Sequence, residues 1–346
     1  LPGSGDVGSV THLGAPTAES ELRGAYLAHA ASLVDGPPAN PLPVAATAMH
    51  GVGGKLLQFV LEQSGHGPVH QVPEQAEPDP RFPTVEFPNP EEPGAMDRVM
   101  ALARRTGSAV ALALDPDADR LAAAAPNAEG EWEALTGDQL GAVLAWRLLD
   151  LTEGVADRLL VNTVVSSRLV SAMAAAAGAH FRETLTGFKW LCRPALEKSD
   201  WHQVLAYEEA LGYAIGPQTR DKDGITAALV MADAVCALAE EGRSVWDVLD
   251  DLARQHGAHV TQNDSLRLEG ADAQERMGSI ADSLAADPPS ELGAIEVMET
   301  TRPADDVLRL LLADDTRVVL RPSGTEPKFK YYCEALEAVA AEEDPA

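Results

Sequence analysis

The stretch from Ala109 to Ala125 constrains this chain more than any other. An apolar run, Ala109-Val110-Ala111-Leu112-Ala113-Leu114, leads into Asp115-Pro116-Asp117-Ala118-Asp119-Arg120, and a second apolar run starts at Leu121. A short apolar run that ends against turn residues reads as a buried strand. The acidic loop therefore sits at a strand tip, held on both flanks. Carboxylates at alternate positions can converge on one hard cation, and oxygen ligands of that kind suit Mg²⁺ better than Zn²⁺. A solvated acidic turn is the competing reading. An EF-hand is excluded, because Arg120 stands where the sixth-position Gly belongs and Pro126 where the twelfth-position Glu belongs. Arg120 sets a fixed cation beside the loop, suited to a phosphate oxygen. Pro116 stiffens the loop before its second carboxylate.

With 26 Lys and Arg against 54 Asp and Glu, the net charge of −28 argues against nucleic acid or an anionic membrane as the main partner. A chain this acidic that still binds an anion must gather its cations locally. Cys192, Cys236 and Cys333 are widely spaced and form no metal-binding pattern, so free thiols in a reducing cytoplasm are expected. No apolar run reaches membrane-spanning length and no signal-peptide pattern opens the chain, which begins on Leu1 as a fragment edge would.

The 346 residues are long enough for two or three domains. A linker and helix over 1–40 are expected first. A strand–helix–strand unit over 41–156 follows, running from Pro43-Val44-Ala45-Ala46-Thr47 through the turn Met49-His50-Gly51-Val52-Gly53-Gly54. That turn either offers backbone N–H groups to a phosphate or is only a tight turn; His50 is read as structural. The stretch from Val72 to Pro93 is too proline-dense for a helix or a central strand. A second α/β unit over 157–258 carries the turn Thr186-Gly187-Phe188-Lys189-Trp190 and the strand end Glu208-Glu209-Ala210-Leu211-Gly212-Tyr213. In α/β folds, ligands sit at such strand ends. Lys189 reads equally as a phosphate ligand or a solvated lysine, and the Glu208-Glu209 pair as cleft carboxylates or a helix charge complement.

From His259 the character changes to a small α+β domain over 259–346, expected to close on two strands and a final helix. Its informative stretch is Arg321-Pro322-Ser323-Gly324-Thr325-Glu326-Pro327-Lys328. Cations, hydroxyls and a Gly-opened backbone within so few residues are the donor set a phosphate dianion needs.

These four motifs, in this order along nearly the whole chain, resemble the α-D-phosphohexomutase superfamily, the phosphoglucomutases and phosphomannomutases. The M-H-G-V-G, F-P-N-P-E-E and G-F-K-W variants look most like the longer branch that holds phosphoglucomutase and phosphopentomutase. The resemblance implies an α/β fold: two consecutive α/β/α domains of the phosphohexomutase type, then a small α+β, TATA-binding-protein-like C-terminal domain. It implies Mg²⁺ on Asp115, Asp117 and Asp119, and Arg120 and Lys189 at the reacting phosphate. It also implies Glu208 on the sugar hydroxyls, and Arg321, Ser323, Gly324, Thr325 and Lys328 on the non-reacting phosphate.

The implied reaction moves a phosphoryl group between C1 and C6 of a hexose phosphate such as glucose 1-phosphate. It passes through a phosphoserine enzyme and glucose 1,6-bisphosphate; phosphomannomutase and phosphopentomutase are alternatives. The sequence departs from the family pattern in three ways. No Ser stands in a T-A-S-H-N-P context, so the chain alone is expected to bind phosphosugar weakly without turning it over. Ala210 replaces a common Ser, and Tyr213 stands where some relatives have His, which leaves the general base unassigned. A non-catalytic phosphosugar-binding protein is the non-enzyme alternative. A metal-dependent phosphatase is disfavoured, because its nucleophilic Asp would compete with the metal.

Overall fold

The computed structural model describes residues 15–270, 272–322 and 328–339. Helix α1 (Ala15–Ala31) leads into β1 (Val44–Thr47), α2 (Gly54–Gln63), β2 (Val69–Gln71), α3 (Asp97–Thr106), β3 (Val110–Leu114), β4 (Leu121–Pro126) and β5 (Trp132–Ala134). These strands form one sheet in the order β2-β1-β3-β4-β5, with β2, β1 and β3 parallel and the last two antiparallel. Every residue of β1 and β3 is buried, and strands covered on both faces read as unbroken apolar runs. The Pro-dense stretch after β2 contains one short 3₁₀ turn and otherwise irregular loop up to α3.

The second layer follows: α4 (Gly137–Leu151), β6 (Arg158–Thr163), α5 (Leu169–Ala176), β7 (His180–Thr184), α6 (Phe188–Leu191), α7 (Arg193–Glu197), β8 (His202–Glu208), β9 (Gly212–Ile215), α8 (Gly224–Glu240) and α9 (Val245–His256). Its sheet runs β7-β6-β8-β9, parallel except for β9. Both sheets therefore end their parallel run in an antiparallel hairpin, so the β3–β4 and β8–β9 loops are topological equivalents.

The two units also exchange helices. Helix α4 follows the first sheet but packs chiefly on β8, and α8 follows the second sheet and packs on β3 and β4 as well as on β9. One continuous apolar core results, holding Leu112, Leu144, Tyr207 and Leu229 together.

The C-terminal domain contains β10 (Ala258–Arg267), α10 (Ala273–Ala286), β11 (Glu291–Leu292), β12 (Ile295–Ala304), β13 (Val307–Leu312), β14 (Arg317–Pro322) and β15 (Lys328–Glu337). They form an antiparallel sheet in the order β10-β15-β14-β13-β12-β11, with α10 against β13 and β14. Residues 328–337 are a strand and no helix follows up to residue 339; the remainder of the stretch expected to hold a final helix, 340–346, lies outside the described residues. Phe329, Tyr331 and Tyr332 favour strand, and pairing to β10 on one side and β14 on the other secures it. This domain meets the second sheet through Val164 and Val165, which pack with Val307, Val319 and Tyr332. Among the described residues, no helix is long and apolar enough to cross a membrane.

Candidate active site

The acidic loop is a tight turn between β3 and β4. Asp115 Oδ1 accepts the Arg120 amide at 3.0 Å, the Ala118 amide bonds back to the Asp115 carbonyl at 3.0 Å, and Ala118 takes a left-handed φ of 62°. The turn brings one carboxylate oxygen each from Asp115, Asp117 and Asp119 within 4.8 Å of one another. Burial first, and then the charges of Asp119 and Asp117, push the Asp115 carboxyl up to about 6 against the lowering effect of the Arg120 amide. Crowded carboxylates of this kind, hard and oxygen-only, fit a divalent cation such as Mg²⁺. Arg120 stays beside them, its Nε 3.8 Å from Asp115 and 3.9 Å from Asp119, and its guanidinium 3.9 Å from Glu91.

Two neighbours hold the loop in place. The Met49–Gly54 turn packs directly beneath it. A Cβ on Gly51 would lie 2.4 Å from the Pro116 backbone, and one on Gly53 would lie 2.5 Å from Ala118 Cβ. The Val52 amide donates to the Pro116 carbonyl at 2.9 Å and the Gly51 amide to Ala48 at 2.6 Å, so these N–H groups are already engaged. The turn is a tight one. His50 is buried and bonds Thr84 Oγ1 at 2.9 Å through Nε2. From the other side, the Gly224 amide at the start of α8 donates to the Ala118 carbonyl at 3.1 Å, and Lys222 Nζ lies 2.8 Å from Asp119 Oδ2.

The equivalent loop of the second sheet lies directly alongside. The Leu121 amide donates to the Leu211 carbonyl at 3.0 Å, and Arg120 bridges Gly212 in antiparallel fashion. Glu208, at the end of β8, accepts the Gly187 amide at 2.5 Å, which joins it to the turn carrying Lys189. Lys189 is exposed, with Nζ 5.7 Å from the centre of the Trp190 ring. Glu209 turns inward, and its Oε2 accepts Ser166 Oγ at 3.0 Å and Thr163 Oγ1 at 3.3 Å. Burial, then the charges of Asp138 and Glu208, raise its carboxyl to about 7. Tyr213 is fully buried and donates to the Gly137 carbonyl at 3.1 Å, so it is a strut beneath the loop.

On the C-terminal sheet, Arg321 is 33% exposed at its side chain and lies 4.0 Å from Asp306. It shares surroundings with the second loop through Tyr332: burial, followed by the charge of Glu209, raises that phenol, Arg321 opposes the rise, and Glu208 and Glu91 add to it. Lys328 opens β15, opposite Arg267. Ser323, Gly324 and Thr325 lie outside the described residues. Beside Tyr332, a polar cavity of about 210 Å³ is lined by Asp138, Glu209, Arg317 and Glu334.

The sequence reading assigned no role to Lys222 or Glu91, and of its two readings of the Glu208-Glu209 pair, an inward carboxylate is the one Glu209 adopts. Lys222 had a readable signal, since it precedes Asp223, whose carboxylate caps α8 by accepting the Ile225 and Thr226 amides. Glu91 stands in the F-P-N-P-E-E motif, but its approach to Arg120 is set by another element and has no local signal.

Comparison with known proteins agrees with this fold. The family profile for phosphoglucomutase/phosphomannomutase α/β/α domain II matches residues 25–130, and that for domain III matches residues 136–256. A probable phosphomannomutase of Haemophilus influenzae is 38% identical over 321 residues, covering 91% of this chain and 64% of that protein. A phosphopentomutase of Mus musculus is 34% identical over 320 residues, covering 83% of this chain and 52% of that protein. The chain thus spans between half and two-thirds of the length of these relatives. A phosphoglucomutase/phosphomannomutase family protein from Burkholderia thailandensis shares the fold, with a TM-score of 0.70, 19% identity, and coverage of 91% of this chain and 60% of that one.

Proposed function

The chain belongs to the α-D-phosphohexomutase superfamily, and from that premise we propose that it supplies the sugar-phosphate grip and the charge stabilisation of a phosphosugar mutase. The reaction is phosphoryl transfer between C1 and C6 of a hexose phosphate, glucose 1-phosphate and glucose 6-phosphate, by way of a phosphoserine enzyme and glucose 1,6-bisphosphate. One observation carries the reading: two topologically equivalent hairpin loops, one acidic and one bearing Glu208, are bonded edge to edge at Leu121 and Leu211.

Asp115, Asp117 and Asp119 would hold Mg²⁺, which supplies charge neutralisation for a transferring phosphoryl group when bound. Arg120 adds a fixed guanidinium beside that group. Glu208 orients sugar hydroxyls, its carboxylate fixed by the Gly187 amide. Lys189 and Arg321, with Ser323, Gly324, Thr325 and Lys328, grip phosphate and position the sugar, the part of catalysis that needs no covalent chemistry from the protein. None of the serines in the 346 residues stands in a T-A-S-H-N-P context, so the chain by itself is expected to bind without turnover. The proposed domains are 41–156, 157–258 and 259–346, after a leading helix in 1–40. Three free cysteines support a reducing, cytoplasmic setting.

A pentose phosphate is the second reading. Ala210 offers the sugar no hydroxyl, and the Mus musculus relative is named a phosphopentomutase. Titration calorimetry with glucose 1-phosphate, mannose 1-phosphate and ribose 1-phosphate in Mg²⁺ ranks the sugars. Arg321→Ala should weaken the preferred one by about 1.5–3 kcal/mol, the worth of a charged hydrogen bond. Unchanged affinity would remove Arg321 from the site.

A further inference from the structure

The turn Ser166-Ser167-Arg168, between β6 and α5, belongs to none of the four motifs, yet its residues bond to the second loop, α4, β14 and β15. Ser166 Oγ donates to Glu209 of the second loop at 3.0 Å. The Ser166 carbonyl accepts Arg317 of β14 at 2.5 Å. The Ser167 amide donates to Asp138 of α4 at 2.8 Å, and Ser167 Oγ donates to Glu334 of β15 at 2.8 Å. The Arg168 amide and Nε reach the same Glu334 carboxylate, each at 2.7 Å. Glu334 is 1% exposed and also takes His259 Nδ1 at 2.9 Å and Arg317 at 3.1 Å. A second Arg168 nitrogen donates to the Asp315 carbonyl, at the hairpin that precedes β14, at 2.7 Å.

Fully partnered charge of this kind fixes one geometry. It holds β14 at its first residue, Arg317, whereas Arg321 lies four residues further along the same strand. At roughly 3.3 Å per residue that is a lever of about 13 Å. A tilt of about 5° at Arg317 would then shift Arg321 by about 1 Å, a misplacement worth about a hundredfold in a positioned reaction.

We propose that the Ser166–Arg168 turn sets the separation between the Glu208 loop and the Arg321 strand, with Ser166, Arg317 and Glu334 as its positioning residues. The proposal rests on the phosphosugar reading of that site. A ligand that spans both sides, such as glucose 1-phosphate, depends on the separation. Inorganic phosphate, held on one side, does not.

Two experiments on this chain test it. In calorimetry with Mg²⁺, Ser166→Ala should weaken glucose 1-phosphate about tenfold and inorganic phosphate by less than about twofold, and Ser166→Thr should restore the sugar phosphate. Arg317→Lys should give the same pattern from the other side. Equal loss for both ligands, or loss for neither, overturns the proposal. Hydrogen exchange without ligand gives the second test: Ser166→Ala should speed exchange both at 208–212 and at 317–322. A change confined to 164–168 overturns the positioning role. If the unsubstituted chain binds no sugar phosphate, the functional reading falls, and the exchange result alone decides the positioning claim.

Discussion

Lys222 Nζ stands 2.8 Å from Asp119 Oδ2, so the residue that precedes the α8 cap reaches into the acidic loop. Burial alone would lower the Lys222 ammonium, but its hydrogen bond and charge contact with Asp119 outweigh that and raise it. The next residue, Asp223, accepts Tyr26 of α1 at 3.0 Å, so the leading helix is tied to the same corner.

A cation at Asp119 competes with any metal for that carboxylate. Lys222→Met should therefore tighten Mg²⁺ binding, read as a larger rise in melting temperature per added Mg²⁺. A smaller Mg²⁺ effect in the variant would mean that Lys222 supports the metal instead.

Gly137 is the tightest glycine contact at the second loop. A Cβ there would lie 1.8 Å from the Glu209 carbonyl oxygen, and backbone cannot swing aside as a side chain can. Gly137→Ala should cost about 1–3 kcal/mol in urea unfolding, as overpacking does. It should also displace the Glu208–Leu211 loop and so weaken sugar-phosphate binding. A variant as stable as the parent would show that the α4 terminus can retreat freely.

Acid should unfasten the C-terminal sheet. Burial alone would raise the Glu334 carboxyl, but the His259 hydrogen bond, the Arg317 and Arg168 charges and the Arg168 amide bring it from 4.5 to about 2. A lowered carboxyl contributes stability above its unfolded value and loses it as pH falls through the folded one. The loss should fall between about pH 4.5 and pH 2. Glu209 has the opposite sign: its stabilising share is full below 4.5 and is lost as pH rises through about 7. Melting temperature against pH should therefore drop steeply below pH 4.5 in the parent and flatten in Glu334→Gln. Parallel curves would remove Glu334 as the acid-sensitive fastening.

The acidic loop is legible in the sequence because its chemistry is local, with alternate carboxylates pinned between two buried strands. The parallel strands β1, β3 and β6 are legible for the same reason, each an apolar run against a turn. Strand β9 is four residues long and reads as loop from sequence alone. Residues 328–337 begin with strand-favouring aromatics, but it is pairing on both edges, invisible to a local pattern, that carries the strand through to Glu337. The helix exchange between α4 and α8 depends on how two sheets stack. Glu334, a lone acid in a mixed stretch, meets Arg168 across 166 positions and Arg317 on a neighbouring strand.

If the chain grips a phosphosugar as proposed, the two hairpin loops and the Arg321 strand close around one sugar phosphate. Crystals of the chain soaked with glucose 1-phosphate and Mn²⁺, the latter as an anomalous scatterer in place of Mg²⁺, would show whether they do. The expected result is an anomalous peak among Asp115, Asp117 and Asp119, sugar hydroxyls on Glu208, and the phosphate at Arg321. A metal peak away from the acidic loop, or a sugar phosphate bound clear of Glu208, would contradict it.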